Sequence, residues 1–489
     1  INRTVFMACN LVSRTYFVRL LGNRYLGIDG MLGNVFSVLS LFELGFGEAA
    51  SQTLYKPLSE HNEPEIKAVI SYFSNTYKYI AAVTFALSMA FMPFLARVFP
   101  DISNIENYKA IYLLFVFHQT QNFFFAPKRA LVICDQRMYA VMTERSISAV
   151  FMTFFQIIAL KMTGNYLFYV FIRMFFHTAD GLIIQKYANI RYPYIKSLKT
   201  EIPEKIKTVI KKKTASLAVH RIGGVINAST DSILISARMG LENMGVFSNY
   251  SLIINTLGSF VALAVGSASA SVGNLGASES MEKNEKVLNK LCFFNFLLLT
   301  NCSSLLICLI NPVISLWIGN NMTFGMNETA VIIACFFVSY IRDPVQIFIS
   351  NLGVFSSTKY VYLVRGILNL ALSLIFINYY GVVGVFAGTL ASTLLTVLPL
   401  EPVMLFRYGL KRKPGGFLMK YFSYVLSGPV ISALSYALTY NMADNTAYKV
   451  AIKGITSLAV TNAAIFLLYH KNEEFRFALD ILRKKKPLR

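Results

Sequence analysis

Apolar stretches of about twenty residues, separated by short polar segments, run along the whole chain. An α-helix needs a stretch of this length to cross the hydrocarbon core of a bilayer. The pattern therefore predicts an all-α polytopic membrane protein with about 14 transmembrane helices. The predicted spans are roughly 4–21, 31–54, 70–96, 110–133, 139–160, 166–185, 215–237, 245–273, 291–317, 329–352, 360–378, 381–406, 421–440 and 450–469.

Part of the first two spans recurs later in the chain. The segment HRIGGVINASTDSILISARMGLENMGVFSNYSL aligns with NRTVFMACNLVSRTYFVRLLGNRYLGIDGMLGN, about 218 positions earlier. A second similarity, between DQRMYAVMTERSIS and SSTKYVYLVRGILN, has nearly the same offset. We interpret both as an internal duplication, which is typical of transporters built from two halves. The first alignment places Arg3 over Arg221, Gly22 over Gly240 and Gly27 over Gly245.

The duplication predicts two pseudo-symmetric six-helix lobes followed by two C-terminal helices. We expect an N-terminal lobe at 1–189, a cytoplasmic basic connector at 190–213 and a C-terminal lobe at 214–408. Two additional helices and a basic cytoplasmic tail are expected at 409–489. The connector carries the run KIKTVIKKK, which indicates an amphipathic segment on the membrane surface.

Composition and charge agree with this architecture. The chain has 489 residues, of which 55% are hydrophobic and only 15% charged, so a soluble protein is excluded. Thirty of the 46 Lys and Arg residues fall in segments that lie in the cytoplasm if the N-terminus does, against six on the opposite side. The positive-inside rule therefore places both termini in the cytoplasm. It also explains the net charge of +21 without a nucleic-acid partner.

We assign ten Lys and Arg residues, eight of them arginines, to the membrane-spanning helices: Arg3, Arg14, Arg19, Lys78, Arg145, Arg173, Arg221, Arg342, Arg365 and Lys453. An arginine near mid-membrane costs several kcal/mol, so it faces protein or water. Arg173, His177 and Asp180 share one face of the sixth span, and similar polar stripes occur on other spans. Converging stripes predict a wet, electropositive cavity that binds an anionic substrate. The predicted substrate-binding residues are Arg14, Arg145, Arg173, Arg221, Arg342 and Arg365.

Structural roles compete with these functional ones. Arg342 precedes Asp343 and Pro344, so an ion pair or a helix kink explains it as well as a substrate contact does. Carboxylates inside spans either hold an arginine in place or carry a coupling proton or sodium ion. The candidates for coupling or gating are Glu43, Asp180, Asp231 and Asp343.

The string NLVSRTYFVRLLGNRYLGIDGMLGNVFSVLSLFELGFGEAASQTLYKPLSE resembles the opening of bacterial polysaccharide flippases. These proteins form a family within the multidrug/oligosaccharidyl-lipid/polysaccharide exporter superfamily. The phrases GVFSNYSLIINTL, SASASVGNLGASES and GVVGVFAGTLAS are similar to second-half phrases of the same family. The likeness runs essentially end to end, and the first and eighth spans are its most specific parts.

The resemblance implies a flippase that moves an undecaprenyl-pyrophosphate-linked oligosaccharide from the inner to the outer leaflet of the bacterial cytoplasmic membrane. It implies alternating access, a capsule or other surface polysaccharide as the product, and membrane lipids, a polymerase and glycosyltransferases as partners. In that setting Arg14, Arg173, Arg221 and Arg365 are candidates for contacts with pyrophosphate and acidic sugars. The polyprenyl tail is expected to stay in lipid.

Other functions stay open at this point. A multidrug exporter of the same superfamily is one, although its usually cationic substrates favour acids over arginines. A peptidoglycan-precursor flippase differs mainly in cargo, and a membrane polysaccharide polymerase is an enzyme alternative. We expect no catalytic residue, cofactor or metal. Because the chain has no GxxxxGK[ST] motif, we do not expect ATP to be the direct energy source. Facilitated exchange, a step driven by the membrane potential, and proton or sodium antiport all stay open.

Overall fold

The computed structural model describes residues 2–196, 200, 202–269, 271–273 and 280–482, and the side chain of Arg3 lies outside this description. The described residues form helices and no strand. They divide into two compact units, Ile1–Gly245 and Val246–Arg489.

The helices of the first unit begin and end as follows: α1 Asn2–Leu39, α2 Phe46–Ser59, α3 Glu63–Phe91, α4 Leu95–Val98, α5 Tyr108–Cys134, α6 Met138–Thr163, α7 Tyr166–Arg191 and α8 Glu204–Arg238. Helix α9 (Gly240–Gly266) starts in the first unit and continues into the second. The second unit then contains α10 Met281–Ile318, α11 Met326–Tyr340, α12 Asp343–Asn351, α13 Phe355–Leu395, α14 Val397–Met404, α15 Gly415–Thr439, α16 Ala447–Tyr469 and α17 Glu473–Leu482. Single turns join several of these helices: Ser40–Glu43, Met92–Phe94, Pro100–Asn104, Pro193–Ile195, Asn320–Met322 and Leu405–Leu410.

Ten helical stretches of the described residues are long and apolar enough to cross a membrane. Two of them, Val5–Glu43 and Tyr360–Leu410, contain a break at Gly22 (φ +80°) and at Gly381 (φ +56°). Each of these two accounts for two predicted spans, and α5 and α8 match two more. The prediction of an all-α polytopic membrane protein with about 14 transmembrane helices is confirmed.

Helix α8 shows how the basic segment of the chain is anchored. Its first turns carry the run KIKTVIKKK, residues 205–213. Within this run, Ile206 and Ile210 lie on the face opposite the lysines and pack against the apolar core of the first unit. That core also contains Phe46, Phe73 and Tyr77 from α2 and α3. Residues 204–213, which end the predicted connector, therefore belong to the same helix as residues 214–238. The predicted lobe boundaries remain a prediction.

The two additional helices after residue 409 pack against α10 through buried hydroxyl groups. Ser304 of α10 donates to Ser432 of α15 at 3.1 Å, and Ser435 of α15 shares a hydrogen bond with Ser457 of α16 at 2.8 Å. Small polar side chains of this kind let helices approach closely in a membrane and supply hydrogen bonds between them.

In the first unit, the two segments that the sequence alignment pairs form a reciprocal helix crossing. Gly22 and Gly240, which the alignment superimposes, both take left-handed backbone, with φ of +80° and +88°. Past these breaks, Gly27 of α1 lies against the backbone of Leu241, and Gly245 of α9 lies against the backbone of Asn23. Gly27 and Gly245 are aligned positions, 218 residues apart, and so are Asn23 and Leu241. Each of the two aligned segments therefore contributes one glycine and one backbone contact to the crossing.

A buried ion pair anchors the second unit. Arg342, at the break between α11 and α12, donates from Nε to Glu401 Oε2 at 2.9 Å and from Nη2 to Oε1 at 2.6 Å. The Tyr362 hydroxyl also donates to Glu401 Oε1. Arg342 is 2% exposed and Glu401 is fully buried. The pair therefore holds α13 and α14 against the helix break.

Replacing Gly27 by Ala should destabilise the protein by about 1–3 kcal/mol, because the added methyl group overlaps the Leu241 carbonyl oxygen. Gly33 is the matched control on the same helix, since a methyl group there meets nothing within 4 Å. Thermal unfolding of both purified variants in detergent checks this prediction. Equal unfolding midpoints for Gly27→Ala and Gly33→Ala would show that the crossing is not tight.

Replacing Glu401 by Gln should cost about 3–5 kcal/mol of stability, because the Arg342 charge stays buried without a counter-ion. Replacing both partners together, as Arg342→Met with Glu401→Leu, should recover much of that loss. Glu60→Gln is the control, because the exposed Lys56–Glu60 pair is worth at most about 1 kcal/mol. Unfolding measurements that give Glu401→Gln and Glu60→Gln the same stability contradict the anchoring role.

Candidate functional site

A carboxylate that links two helices lies at the centre of the candidate site in the first unit. Asp29, on α1, accepts a hydrogen bond from Arg173 Nη2 of α7 at 2.6 Å. The same oxygen, Oδ1, accepts from the Tyr166 hydroxyl at 2.8 Å. Arg14, also on α1, interacts electrostatically with Asp29, Tyr169 and Arg173. We call Arg14, Asp29, Tyr166, Tyr169 and Arg173 the arginine cluster.

Aromatic rings hold the arginine of α7 in place. The Arg173 guanidinium lies 5.2 Å from the centre of the Tyr169 ring and 5.6 Å from that of Phe115. Cation–π contacts of this kind stabilise a cation without neutralising it. Phe17 of α1 packs edge-on against Tyr166 and Tyr169, with ring centres 5.6 and 4.9 Å apart. The rings therefore fix both the cation and the distance between α1 and α7.

The break at Gly22 explains how one helix supplies both signs of charge. Arg14 lies before the break and Asp29 after it, so their side chains need not follow a single helical face. Ser13, next to Arg14, shares a hydrogen bond with the Tyr169 hydroxyl at 3.0 Å and donates to Gln156 of α6 at 3.4 Å. These bonds fix the first half of α1 against α6 and α7.

The arginine cluster holds two guanidinium groups and one carboxylate, so it keeps a positive surplus. The side chains of Arg173 and Asp29 are 20% and 26% exposed. These two side chains therefore keep part of their surface open, unlike the Arg342–Glu401 pair. A planar guanidinium fork matches the oxygens of phosphate groups, so this arrangement is suited to binding a phosphate-bearing anion.

A second charged group lies further along α7. The predicted stripe continues from Arg173 to His177 and Asp180, and His177 Nδ1 lies 3.8 Å from Asp180 Oδ2. The His118 ring of α5 is 4.6 Å from that of His177. Asp180 is 6% exposed and lies close enough to Glu144 of α6 to interact with it electrostatically.

A cavity of about 640 Å³ opens between α6 and α7 beside this group, with Glu144 and Asp180 in its lining. Its other lining residues are mostly apolar, including Ile147, Phe151 and Ile183. Arg145, a predicted substrate contact, lies within electrostatic range of Glu144. The structure therefore brings Arg145 and Asp180 into one neighbourhood.

Two further predicted residues meet at the end of α1. Arg221 of α8 and Glu43 approach to 3.8 Å between Nη2 and Oε2. Glu43 also accepts a hydrogen bond from the Tyr77 hydroxyl of α3. The Arg221 side chain is 45% exposed, so it also faces outward from this contact. Asp231 lies on the same helix, α8, near its end.

The remaining predicted residues belong to the second unit. Arg342 forms the buried pair with Glu401, and Asp343 lies beside it, half-buried. Arg365 of α13 is 7% exposed. Further along its stripe, Asn369 donates to Thr389 at 2.6 Å, so that part of the stripe packs the two halves of α13 together.

Sequence reasoning missed several members of these groups: Asp29, His118, Tyr166 and Tyr169. Asp29 falls in the Gly-rich stretch GIDG, which predicts a loop between the first two spans, whereas the structure continues α1 to Leu39. One signal in the sequence could have identified Asp29: an acidic residue near a membrane arginine is a natural counter-ion for it.

Among the residues that the structure describes, no three His, Cys, Asp or Glu side chains converge as metal ligands.

The fold is shared with solved membrane transporters. The structure matches "Lipid II flippase MurJ, inward closed conformation" with a TM-score of 0.69 and 15% identity, covering 96% of this chain and 98% of that one. It matches an inward-facing multidrug resistance MATE family transporter of the MOP superfamily with a TM-score of 0.63 and 12% identity, covering 91% and 96%. A MOP superfamily transporter from Pyrococcus furiosus matches with a TM-score of 0.53 and 12% identity, covering 84% and 94%.

Comparison with curated protein sequences finds no match. The family model described as "Polysaccharide biosynthesis protein" matches residues 4–270, more than half of the chain. Together with the ten apolar helices, this confirms a multi-pass membrane protein and the resemblance to the polysaccharide flippase and exporter family. The chain belongs to the polysaccharide biosynthesis protein family, and it has the fold of the MurJ and MATE transporters.

Proposed function

We propose that this protein is a flippase for undecaprenyl-pyrophosphate-linked oligosaccharides, which it moves from the inner to the outer leaflet by alternating access. The product is a capsular or other surface polysaccharide. The arginine cluster is the observation that supports this proposal. It offers two guanidinium groups, one of them ringed by aromatic side chains, at a place that a ligand can reach.

The proposed task needs a binding site and no bond chemistry. A pyrophosphate with its sugars does not cross hydrocarbon unaided, because moving a charge out of water costs many kcal/mol. Fixed cations inside the protein lower that barrier by replacing the lost water. We therefore infer a transporter and no enzyme, with no catalytic residue and no cofactor.

We assign the pyrophosphate first to Arg14 and Arg173, because they lie in one cluster. Arg145, Arg221 and Arg365 are proposed as further contacts along the path of the glycan. We assign a structural role to Arg342, since the residue is 2% exposed and its guanidinium is already bonded twice to Glu401. The sequence left two roles open for Arg342, a structural one and a substrate contact, and we choose the structural one.

Transport against a gradient needs a driving force, for which we propose a proton, a sodium ion or the membrane potential. Glu43, Asp180, Asp231 and Asp343 are the proposed coupling or gating acids. We favour Asp180, because it is 6% exposed, faces Glu144 and lies 3.8 Å from His177.

The proposed setting is the bacterial cytoplasmic membrane, with both termini in the cytoplasm. There the enzymes that build the lipid-linked glycan act before this protein and a polymerase acts after it. We propose glycosyltransferases and a polysaccharide polymerase as functional partners. Membrane lipids contact the apolar outer surfaces of the helices, and no nucleic acid is involved.

Replacing Arg14 or Arg173 by Gln should reduce polysaccharide export at least about tenfold, because each change removes one guanidinium contact with pyrophosphate. The measurement is surface polysaccharide in a capsule-flippase deletion strain that carries each variant, with membrane levels checked by immunoblot. Arg97→Gln is the control, because Arg97 is exposed and lies outside the cluster.

Full export by both variants at normal protein levels refutes the assignment of the pyrophosphate to these arginines. If the native chain restores no surface polysaccharide of several types but supports growth when the peptidoglycan-precursor flippase is depleted, the cargo is that precursor. The lipid-linked oligosaccharide and the peptidoglycan precursor both carry a polyprenyl pyrophosphate, so the arginine cluster is suited to either cargo.

A further inference from the structure

Asp29 already occupies the cationic site at which the proposed function places pyrophosphate. Its Oδ1 atom accepts hydrogen bonds from Arg173 at 2.6 Å and from Tyr166 at 2.8 Å. Arg14 lies within electrostatic range of the same carboxylate. The structure therefore shows the site holding an anion that belongs to the protein.

A site of this kind faces a competitor that a soluble protein does not meet. The cytoplasmic leaflet of a membrane contains anionic phospholipids, whose headgroups are drawn to basic side chains. A phosphodiester oxygen binds a guanidinium fork as readily as a pyrophosphate oxygen does. An open pair of arginines would consequently fill with ordinary lipid, and discrimination requires a feature that penalises the wrong ligand.

We propose that Asp29 is this feature: it keeps singly charged lipid headgroups out of the arginine cluster and gives way only to a group with two or more negative charges. This inference rests on the proposed function and names how its site selects a ligand. Exchanging Asp29 for another single charge gains no net attraction to Arg14 and Arg173. A pyrophosphate carries more charge, and Coulomb attraction grows with the product of the charges.

Asp29 is placed so that it can leave the site. It lies on the part of α1 that follows the break at Gly22, whose left-handed backbone separates this part from the half that carries Arg14. Its side chain is 26% exposed, so withdrawing it opens no sealed cavity in the core. Once Asp29 withdraws, the Tyr166 hydroxyl and Arg173 are both free to donate to an incoming phosphate.

A comparison with two other well-bonded carboxylates, Glu401 and Asp135, shows why Asp29 differs. Glu401 is fully buried and bonded to Arg342, so no ligand reaches it. Asp135 accepts from Arg137 at 2.8 Å and from Tyr192 at 2.6 Å, which reproduces the Asp–Arg–Tyr arrangement at the end of α5. Its arginine is a sequence neighbour, and the group lies outside the predicted spans.

The test compares the binding of two soluble probes to the purified full-length protein in a neutral detergent. Farnesyl pyrophosphate carries several negative charges, and dihexanoylphosphatidylglycerol carries one. The native protein should bind the pyrophosphate probe at least about tenfold more tightly than the phosphodiester probe. In Asp29→Asn, which keeps the shape and loses the charge, the phosphodiester affinity should rise about tenfold, and the ratio of the two affinities should fall.

Asp135→Asn is the matched control, because it removes a carboxylate with the same kinds of partner, and it should change neither affinity. Adding Arg173→Gln to Asp29→Asn should abolish the gain, which places the new binding at the arginine cluster. Asp29→Ser serves as a second neutral variant if thermal unfolding shows that Asp29→Asn is poorly folded.

Two results overturn the inference: an unchanged affinity ratio in the neutral variants, or weaker binding of both probes, which would make Asp29 a clamp for Arg173. These results leave the proposed function standing so long as the native protein binds farnesyl pyrophosphate through Arg173. If the native protein and Arg173→Gln bind that probe equally, the proposed pyrophosphate site itself fails.

Discussion

Hydrocarbon does not solvate charge, and the arrangement of this protein depends on how each arginine in a span meets that constraint. Three of them meet it with a carboxylate from a different part of the chain: Arg173 with Asp29, Arg221 with Glu43, and Arg342 with Glu401. Each partnership joins segments that are far apart in sequence. For the buried Arg342–Glu401 pair, losing one partner leaves a charge that its surroundings stabilise poorly, so this pair helps to decide which helices lie side by side.

The same chemistry serves two purposes, and access to the pair decides which. Arg342 and Glu401 have at most 2% of their surface exposed, share two hydrogen bonds and exclude any third group. That pair is part of the fold. Asp29 and Arg173 are about a quarter exposed and lie near a second cation, Arg14. A carboxylate there is in competition with any anion that arrives, so an ion pair of this kind is suited to a site.

The sequence predicts the helices and their polar faces because both follow from local periodicity, but it does not reveal the partners. The stripe Arg173, His177 and Asp180 shares one face, as the spacing predicts, yet Asp29 was placed in a loop. The reason is physical: an acid that neutralises an arginine lowers local hydropathy, and a glycine break inside a helix resembles a turn. A polar stripe that faces a cavity also cannot be distinguished from one that packs on a neighbouring helix. The bonded Asn369 is an example of the second case.

The alignment of the two halves separates what the backbone requires from what the proposed substrate would require. The crossing of Gly27 with Leu241 and of Gly245 with Asn23 is retained in both copies, because each helix approaches the other too closely for a side chain. The charges of the arginine cluster are not retained, although the alignment keeps an arginine at Arg3 and Arg221. At the same offset, Ser232 takes the place of Arg14 and Phe247 that of Asp29, so cation and carboxylate are lost together. A lone charge in a span is costly, and neither member of the group is stable there without the other. A scaffold of two aligned halves with its arginine cluster in only one of them fits the proposed transport of one anionic headgroup at a time.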